Sequence, residues 1–155
     1  MLDKIDLKIL AALQSDASAA SAEIAERVGT SPVSCWRRIQ KLEENGIIRK
    51  RVALLDRRQL NVGVTVFIAI RTSQHTLGWL EKFHNALRDI PEIVEFYRLS
   101  GRIDYLVKAV LSDISAYDGL YKRIIARIDL SEVTSMFAME ELKSTTELPL
   151  TYVDR

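Results

Sequence analysis

Three stretches within the first 45 residues place apolar side chains at the 3.6-residue period of a helix. They predict helices over residues 3–14, 21–28 and 32–45. The second helix is followed by Gly29, and glycine readily takes the left-handed conformation that closes many helices. The three helices are therefore expected to be separate and joined by short turns.

The third helix begins with Ser31-Pro32, a hydroxyl cap followed by a proline at the first helical position. Its apolar positions Cys35, Ile39 and Leu42 form one stripe, which turns the basic side chains of this helix outward. A helix, a glycine-containing turn and a capped basic helix together indicate a helix-turn-helix, whose last helix enters the major groove of DNA.

The second half of the chain changes to a mixture of strand and helix patterns. The predicted strands cover residues 64–71, 93–99, 105–111 and 133–142, and the predicted helices cover residues 77–87 and 117–128. The order βαββαβ is that of the ferredoxin-like fold, an antiparallel sheet with both helices on one face. The sequence thus predicts an α+β protein with three parts: a DNA-binding domain at 1–55, a polar linker at 56–62 and the ferredoxin-like domain at 63–155.

Apolar residues occur on both faces of the predicted strands. In the first strand, for example, Val66 and Ile68 lie on one face, and Phe67 and Ala69 lie on the other. Two helices can cover only one face of a sheet, so the second face is expected to pack against a second copy. A two-fold dimer would also pair two recognition helices for a palindromic site.

Charge and composition narrow the classes of protein. The net charge is only +1, but residues 31–58 hold 8 Lys and Arg against 3 Asp and Glu, where phosphate neutralisation would need them. The longest apolar run is broken by Gly63 and Thr65 and is too short to span a bilayer, so a cytoplasmic protein without a membrane partner is expected. No motif for catalysis, a metal or a cofactor surrounds the single cysteine, Cys35, or the two histidines, so an enzyme is not expected.

The candidate DNA-binding residues lie on the third helix and on the basic segment that follows it. Arg37 is expected to read a base edge, because its guanidinium fork fits the guanine acceptors in the major groove. Arg38 and Lys41 are expected on phosphates, and an extended basic segment is expected to act as a wing along the backbone. Solvated surface charge is the alternative interpretation. The full set is Ser31, Val33, Ser34, Arg37, Arg38, Lys41, Arg49, Lys50 and Arg51.

Nearly the whole chain resembles the leucine-responsive and asparagine-responsive regulators, the Lrp/AsnC family. Five segments carry the resemblance: Leu2-Asp3 with residues 6–10, the residues 28–38, 42–48 and 101–106, and the segment Phe137-Ala138-Met139-Glu140-Glu141. The resemblance implies a winged helix-turn-helix, a ligand-sensing ferredoxin-like domain and dimers that assemble further into tetramers or octamers. Trp36 and the ending at residues 145–150 are similar to a branch that includes cysteine-responsive regulators.

In that family the turn between the second and third strands lies beside an effector pocket where dimers meet. The resemblance therefore implies an effector set of Arg98, Ser100, Gly101, Asp104, Tyr105, Ser135, Met136 and Ala138. Turn amides can bind a carboxylate, and Asp104 can pair with an α-ammonium group. The alternative is a structural turn, in which Gly101 permits the bend and Asp104 caps it.

The expected function is sequence-specific DNA binding by a transcription regulator that responds to a small molecule. The family resemblance implies that this molecule is an amino acid. An architectural DNA-compacting protein without an effector is the alternative. An enzyme on a ferredoxin-like scaffold is the other class considered, and no residue constellation favours it.

Overall fold

Three helices form the N-terminal unit of the computed structural model, which describes residues 2–153. They are α1 (Lys4–Ser15), α2 (Ser21–Val28) and α3 (Pro32–Glu44). Their apolar stripes meet in one core that contains Ile9, Ile24, Cys35 and Ile39. Burial raises the pKa of the Cys35 thiol, so this cysteine is a packing residue with little thiolate character.

The caps of these helices explain where each one begins and ends. The Asp3 carboxylate accepts hydrogen bonds from the N–H groups of Ile5 and Asp6, at 2.8 and 2.9 Å, and so caps α1. Gly29 ends α2 with a φ of 77°, a left-handed conformation that is strained for residues with a side chain. The Ser31 hydroxyl accepts from the Ser34 N–H and starts α3.

The second unit is a four-stranded antiparallel sheet. Its strands are β1 (Val64–Arg71), β2 (Ile93–Arg98), β3 (Tyr105–Leu111) and β4 (Glu132–Phe137), in the spatial order β2-β3-β1-β4. Two helices connect them, α4 (Leu77–Leu87) between β1 and β2, and α5 (Ala116–Ile125) between β3 and β4. This is the predicted ferredoxin-like arrangement.

Both helices pack on the same face of the sheet. Ile68 and Val107 are paired across β1 and β3, are fully buried, and share a core with Phe83 of α4 and Leu120 of α5. Phe67 and Leu106, which neighbour them in the chain, are only partly buried and lie on the opposite face. One face of the sheet is thus covered within the chain and the other is not.

Two predicted elements end three or more residues earlier than the sequence indicated. β4 ends at Phe137 rather than at Leu142, because its only neighbour is β1 and the ladder closes where the Ala138 N–H donates to the Thr65 carbonyl. α5 ends at Ile125, although Ile128 beyond it is still buried and so continues the apolar pattern. In β4 the strand ends where its hydrogen-bond partner ends, although the apolar pattern runs on.

The domain boundaries also differ from the prediction. The second unit spans Leu55–Leu142, and residues 143–153 belong with the N-terminal helices. There the Gln14 side chain donates to the Leu148 carbonyl and accepts from the Leu148 N–H, at 3.1 and 2.6 Å. The predicted linker at 56–62 is a hydrogen-bonded turn of the second unit, in which the Arg57 guanidinium pairs with Glu141.

Candidate nucleic-acid interface and effector site

The outer face of α3 presents polar and basic side chains to solvent. Val33 is 76% exposed, and Arg37 and Lys41 are exposed one and two turns further along the same face. Within residues 2–153 neither Arg37 nor Lys41 has an ion-pair partner. Ser31 and Ser34 stand at the start of this face, where the helix dipole favours an anion.

Arg38 differs from its neighbours because its guanidinium is already neutralised. It donates to Asp3 at 2.6 Å and to Asp6 at 2.7 Å, and its side chain is 29% exposed. The Asp6 N–H and the Arg38 guanidinium hold the pKa of the Asp3 carboxyl below its usual range. The structure therefore gives Arg38 a role in joining α3 to α1, in addition to any contact with phosphate.

The basic segment after α3, predicted to be extended, is not part of a sheet. Residues 49–56 are neither helix nor strand in the structure, and no strand of the described chain pairs with them. Arg51 pairs with Glu43 of α3 at 2.8 Å, whereas Arg49 and Lys50 are exposed and unpaired within residues 2–153. The segment remains a candidate for backbone contacts.

Trp36 is a candidate that the sequence reasoning did not include. It follows Val33 by three positions and precedes Arg37, so it shares the outer face of α3, and it is 56% exposed. An exposed indole between a valine and an arginine offers an apolar contact for a thymine methyl or a sugar. The sequence signal that could have identified Trp36 is its position three residues after Val33, on the same face of the predicted helix.

The turn between β2 and β3 is built around Gly101 and Asp104. Gly101 has a φ of 135°, which disfavours any side chain there. The Asp104 N–H donates to the Ile70 carbonyl at 3.0 Å, and its carboxylate accepts from the Thr72 N–H at 2.8 Å. Asp104 thus has a structural role, fastening this turn to the end of β1.

The eight predicted effector residues do not converge on one cavity of a single chain. Arg98 and Tyr105 lie opposite each other on β2 and β3 and line a groove under α4. Ser135 lies on the helix-covered face, where its hydroxyl contacts that of Tyr117, whereas Met136 faces the opposite side and is 48% exposed. The remaining residues are Ser100 and Gly101, which are exposed in the turn, Asp104, and Ala138, which is exposed just beyond β4.

Two features are absent from residues 2–153. No group of three His, Cys, Asp or Glu side chains is placed to hold a metal ion. No helix in this part of the chain combines the length and the apolar character that crossing a bilayer requires.

Comparison with known proteins assigns both units. Residues 2–49 match the model of a winged helix-turn-helix DNA-binding domain, and residues 65–148 match that of the Lrp/AsnC ligand binding domain. The chain belongs to the Lrp/AsnC family of transcription regulators. Regulators of this family are oligomeric DNA-binding proteins. The fold and function expected from the resemblance are confirmed at this level.

This chain is similar to individual members of the Lrp/AsnC family over nearly the full length of both proteins. A glutamate uptake regulatory protein of Zymomonas mobilis is 49% identical, with 96% of this chain and 91% of that protein covered. The crystal structure of an AsnC family transcriptional regulator from Agrobacterium tumefaciens has a TM-score of 0.95 and 54% identity, covering 97% and 99% of the two chains. A transcriptional regulator from Neisseria meningitidis, solved as a complex with L-methionine, has a TM-score of 0.92 and 34% identity, covering 97% and 98%.

Proposed function

We propose that this Lrp/AsnC regulator binds a specific double-stranded operator through α3 and changes its affinity or assembly when an amino acid binds to the ferredoxin-like unit. The observation that carries the proposal is the exposed face of α3, with Val33 and the unpaired Arg37 and Lys41 on a capped helix. A protein with this task works where the chromosome is, in the cytoplasm.

Within the interface, Arg37 is the proposed base-reading residue. Its position one turn from the N-terminus of α3 is where recognition helices contact base edges. Val33 and Trp36 add apolar contacts, and Ser31 and Ser34 donate to a phosphate near the helix start. Lys41, Arg49, Lys50 and Arg51 are proposed to bind the backbone, with Arg38 contributing mainly by positioning α3.

Assembly is proposed to use the uncovered face of the sheet. Phe67 of β1, Leu106 of β3 and Met136 of β4 are neighbours there, since Phe67 pairs with Met136 and Ala69 pairs with Leu106. Apolar side chains in this arrangement favour a second sheet over water. Dimers formed in this way are proposed to assemble further, into tetramers or octamers.

The effector is proposed to be an amino acid, supported by the relative solved with L-methionine. The Gly101 turn lies at an exposed end of the sheet, and a site there would be completed by a neighbouring dimer. Cysteine, implied by the branch that the chain resembles, remains one candidate among the amino acids. An architectural DNA-compacting role without an effector is the competing proposal, and a lack of any ligand response would favour it.

Selection of binding sites from random DNA tests the DNA-binding proposal. Arg37→Ala should weaken operator binding by about 1 to 3 kcal/mol and relax preference at one base pair. Lys41→Ala is the matched control, because losing a phosphate contact should weaken all sequences alike and reduce the salt dependence. An unchanged motif and affinity for Arg37→Ala would remove Arg37 from base readout.

A further inference from the structure

A groove opens between α4 and the edge strand β2, and its floor is apolar. It has a volume of about 330 Å³ and is lined by Leu80, Phe83, Phe96 and Tyr105 together with the polar residues Glu81, His84, Asn85 and Arg98. The aromatic rings hold one another in place, with centroids 4.4 Å apart for Phe83 and Tyr105 and 6.3 Å apart for Phe83 and Phe96. A volume in the range of about 300 to 1,000 Å³ and a rigid apolar floor are typical of small-molecule sites.

The rim of this α4–β2 groove carries one positive and one negative side chain that are not neutralised. Arg98 ends β2 and Glu81 stands on α4, both exposed. Among residues 2–153 neither side chain has an ion-pair partner, and they are not paired with each other. Most other charged residues of the second unit that border the sheet are paired, for example Glu95 with Lys108 at 2.9 Å.

Two opposite charges above an apolar floor complement a zwitterion that has an apolar side chain. The Arg98 guanidinium offers a fork of donors that matches a carboxylate, and the Glu81 carboxylate accepts from an ammonium group. The aromatic floor then receives the side chain, which would be aliphatic, thioether or aromatic. A neutral or singly charged ligand would leave one of the two charges without a partner.

We infer that the α4–β2 groove binds an apolar α-amino acid, with Arg98 on its carboxylate and Glu81 on its ammonium group. This site lies under α4 and is distinct from the Gly101 turn, although Arg98 and Tyr105 border both. The inference rests on the amino-acid response proposed above and adds a second place, within a single chain, where an amino acid is held. His84 and Asn85 at the rim add polar contacts.

The chain offers its own reporter for this groove. Trp79 is buried with its ring 5.2 Å from that of Phe83 and 5.5 Å from that of Tyr105, both of which line the groove. The only other tryptophan is Trp36, so the variant Trp36→Phe leaves Trp79 as the single indole. Titration of L-methionine into full-length Trp36→Phe protein should change the Trp79 emission, and calorimetry on the wild-type chain gives the affinity independently.

The charge requirements give the decisive comparison. In the Trp36→Phe background, Arg98→Ala should weaken L-methionine binding about 10-fold to 100-fold, and Glu81→Gln should do so by a smaller factor, because each removes a charge-assisted contact. The amine 3-(methylthio)propylamine lacks the carboxylate, so Arg98→Ala should not weaken its already poor binding further. Arg71→Ala, which removes a cation at the end of β1, on the side of the sheet next to β4, is the matched control and should bind L-methionine like the parent.

The outcomes separate this inference from the proposed function. If L-methionine, L-leucine and L-phenylalanine all fail to bind the folded full-length protein, the groove is not an amino-acid site. If one of them binds with an affinity that Glu81→Gln leaves unchanged, the groove assignment is wrong whatever Arg98→Ala does, because Arg98 also borders the Gly101 turn; the amino-acid response then still stands. If binding follows both charges but no amino acid alters operator binding, the groove is confirmed and the proposed regulation fails.

Discussion

The proposed assembly through the uncovered face of the sheet can be tested at two adjacent residues of β3. Leu106 lies on this face and is partly exposed, whereas Val107 lies on the helix-covered face and is fully buried. Leu106→Glu should leave the single chain folded, because its carboxylate can reach water. In a dimer joined through this face, each copy would bury that charge without a partner.

The magnitude follows from the cost of an unpaired buried charge, about 3 to 5 kcal/mol where removal of a partner has been measured. A loss of about 4 kcal/mol corresponds to roughly a thousandfold weaker association, since each 1.4 kcal/mol is tenfold. Val107→Glu should instead unfold the second unit, because the sheet and the helices that enclose Val107 belong to the same chain. Moving the introduced glutamate from position 106 to position 107 of β3 is thus expected to change the outcome from a loss of assembly to a loss of fold.

Sedimentation equilibrium over a range of concentrations, with circular dichroism on the same samples, separates the two effects. The expected result is a folded, dissociated Leu106→Glu protein and an unfolded or aggregated Val107→Glu protein. Leu106→Ala serves as the control for lost apolar area without added charge. An assembly state that Leu106→Glu leaves unchanged at every concentration would refute the proposed interface, and a folded Val107→Glu protein would refute the assignment of the core.

Three further predictions concern hydrogen bonds and ion pairs inside the units. Asp104→Ala should destabilise the second unit by about 1 to 2 kcal/mol in urea unfolding, because the Thr72 N–H loses its acceptor, and Asp104→Asn should cost less since its amide oxygen can still accept. The Arg123 guanidinium, 2.5 Å from Glu92, holds the pKa of the Glu92 carboxyl below its usual value. The ion pair therefore contributes fully to stability above about pH 4.5, the usual pKa of the unfolded chain, and this contribution is lost as the pH falls through the lower pKa of the folded protein. The stability gap between wild type and Glu92→Gln should therefore narrow between pH 6 and 3, and a constant gap would contradict this. Gln14→Ala should increase hydrogen exchange in α1 and in the segment around Leu148 by removing both bonds between them, with exchange in β1 unchanged as the internal control.

Periodicity predicted most of the fold because burial in this chain follows local pattern. The elements α2, β1, α4 and β3 have the predicted bounds. Gly29 closes α2, the Thr76 hydroxyl caps α4, and β1 and β3 each have a partner strand on both sides. The errors occur where a partner ends before the pattern does. Beyond Phe137 the apolar residue Met139 continues the alternation, yet it is 97% exposed because no strand of the described chain lies beside it.

The candidate sites were less predictable, because a sequence pattern gives the face of a residue but not its long-range partner. Arg38 is attached to Asp3 and Asp6 from a helix more than 30 residues away, and Asp104 is attached to Thr72. Neither contact has a signal in local spacing. Glu81 and Arg98 come together at one groove only after β2 has paired with β3 and α4 has packed across them, so the sequence could indicate Arg98 alone.

Regulation requires more than an occupied site in the second unit. An amino acid that binds the DNA-bound and DNA-free forms equally tightly changes nothing, however strong the binding is. If it binds one form better by a given factor, the operator must change the affinity for the amino acid by the same factor, and typical couplings of about 1 to 3 kcal/mol amount to roughly 5-fold to 150-fold. The α4–β2 groove and the outer face of α3 belong to separate compact units, and we propose that this factor arises from assembly or from the arrangement of paired DNA-binding units. A Leu106→Glu monomer that still binds L-methionine is then expected to lose the coupling between the amino acid and the operator. That result would identify assembly as the step that links the two sites.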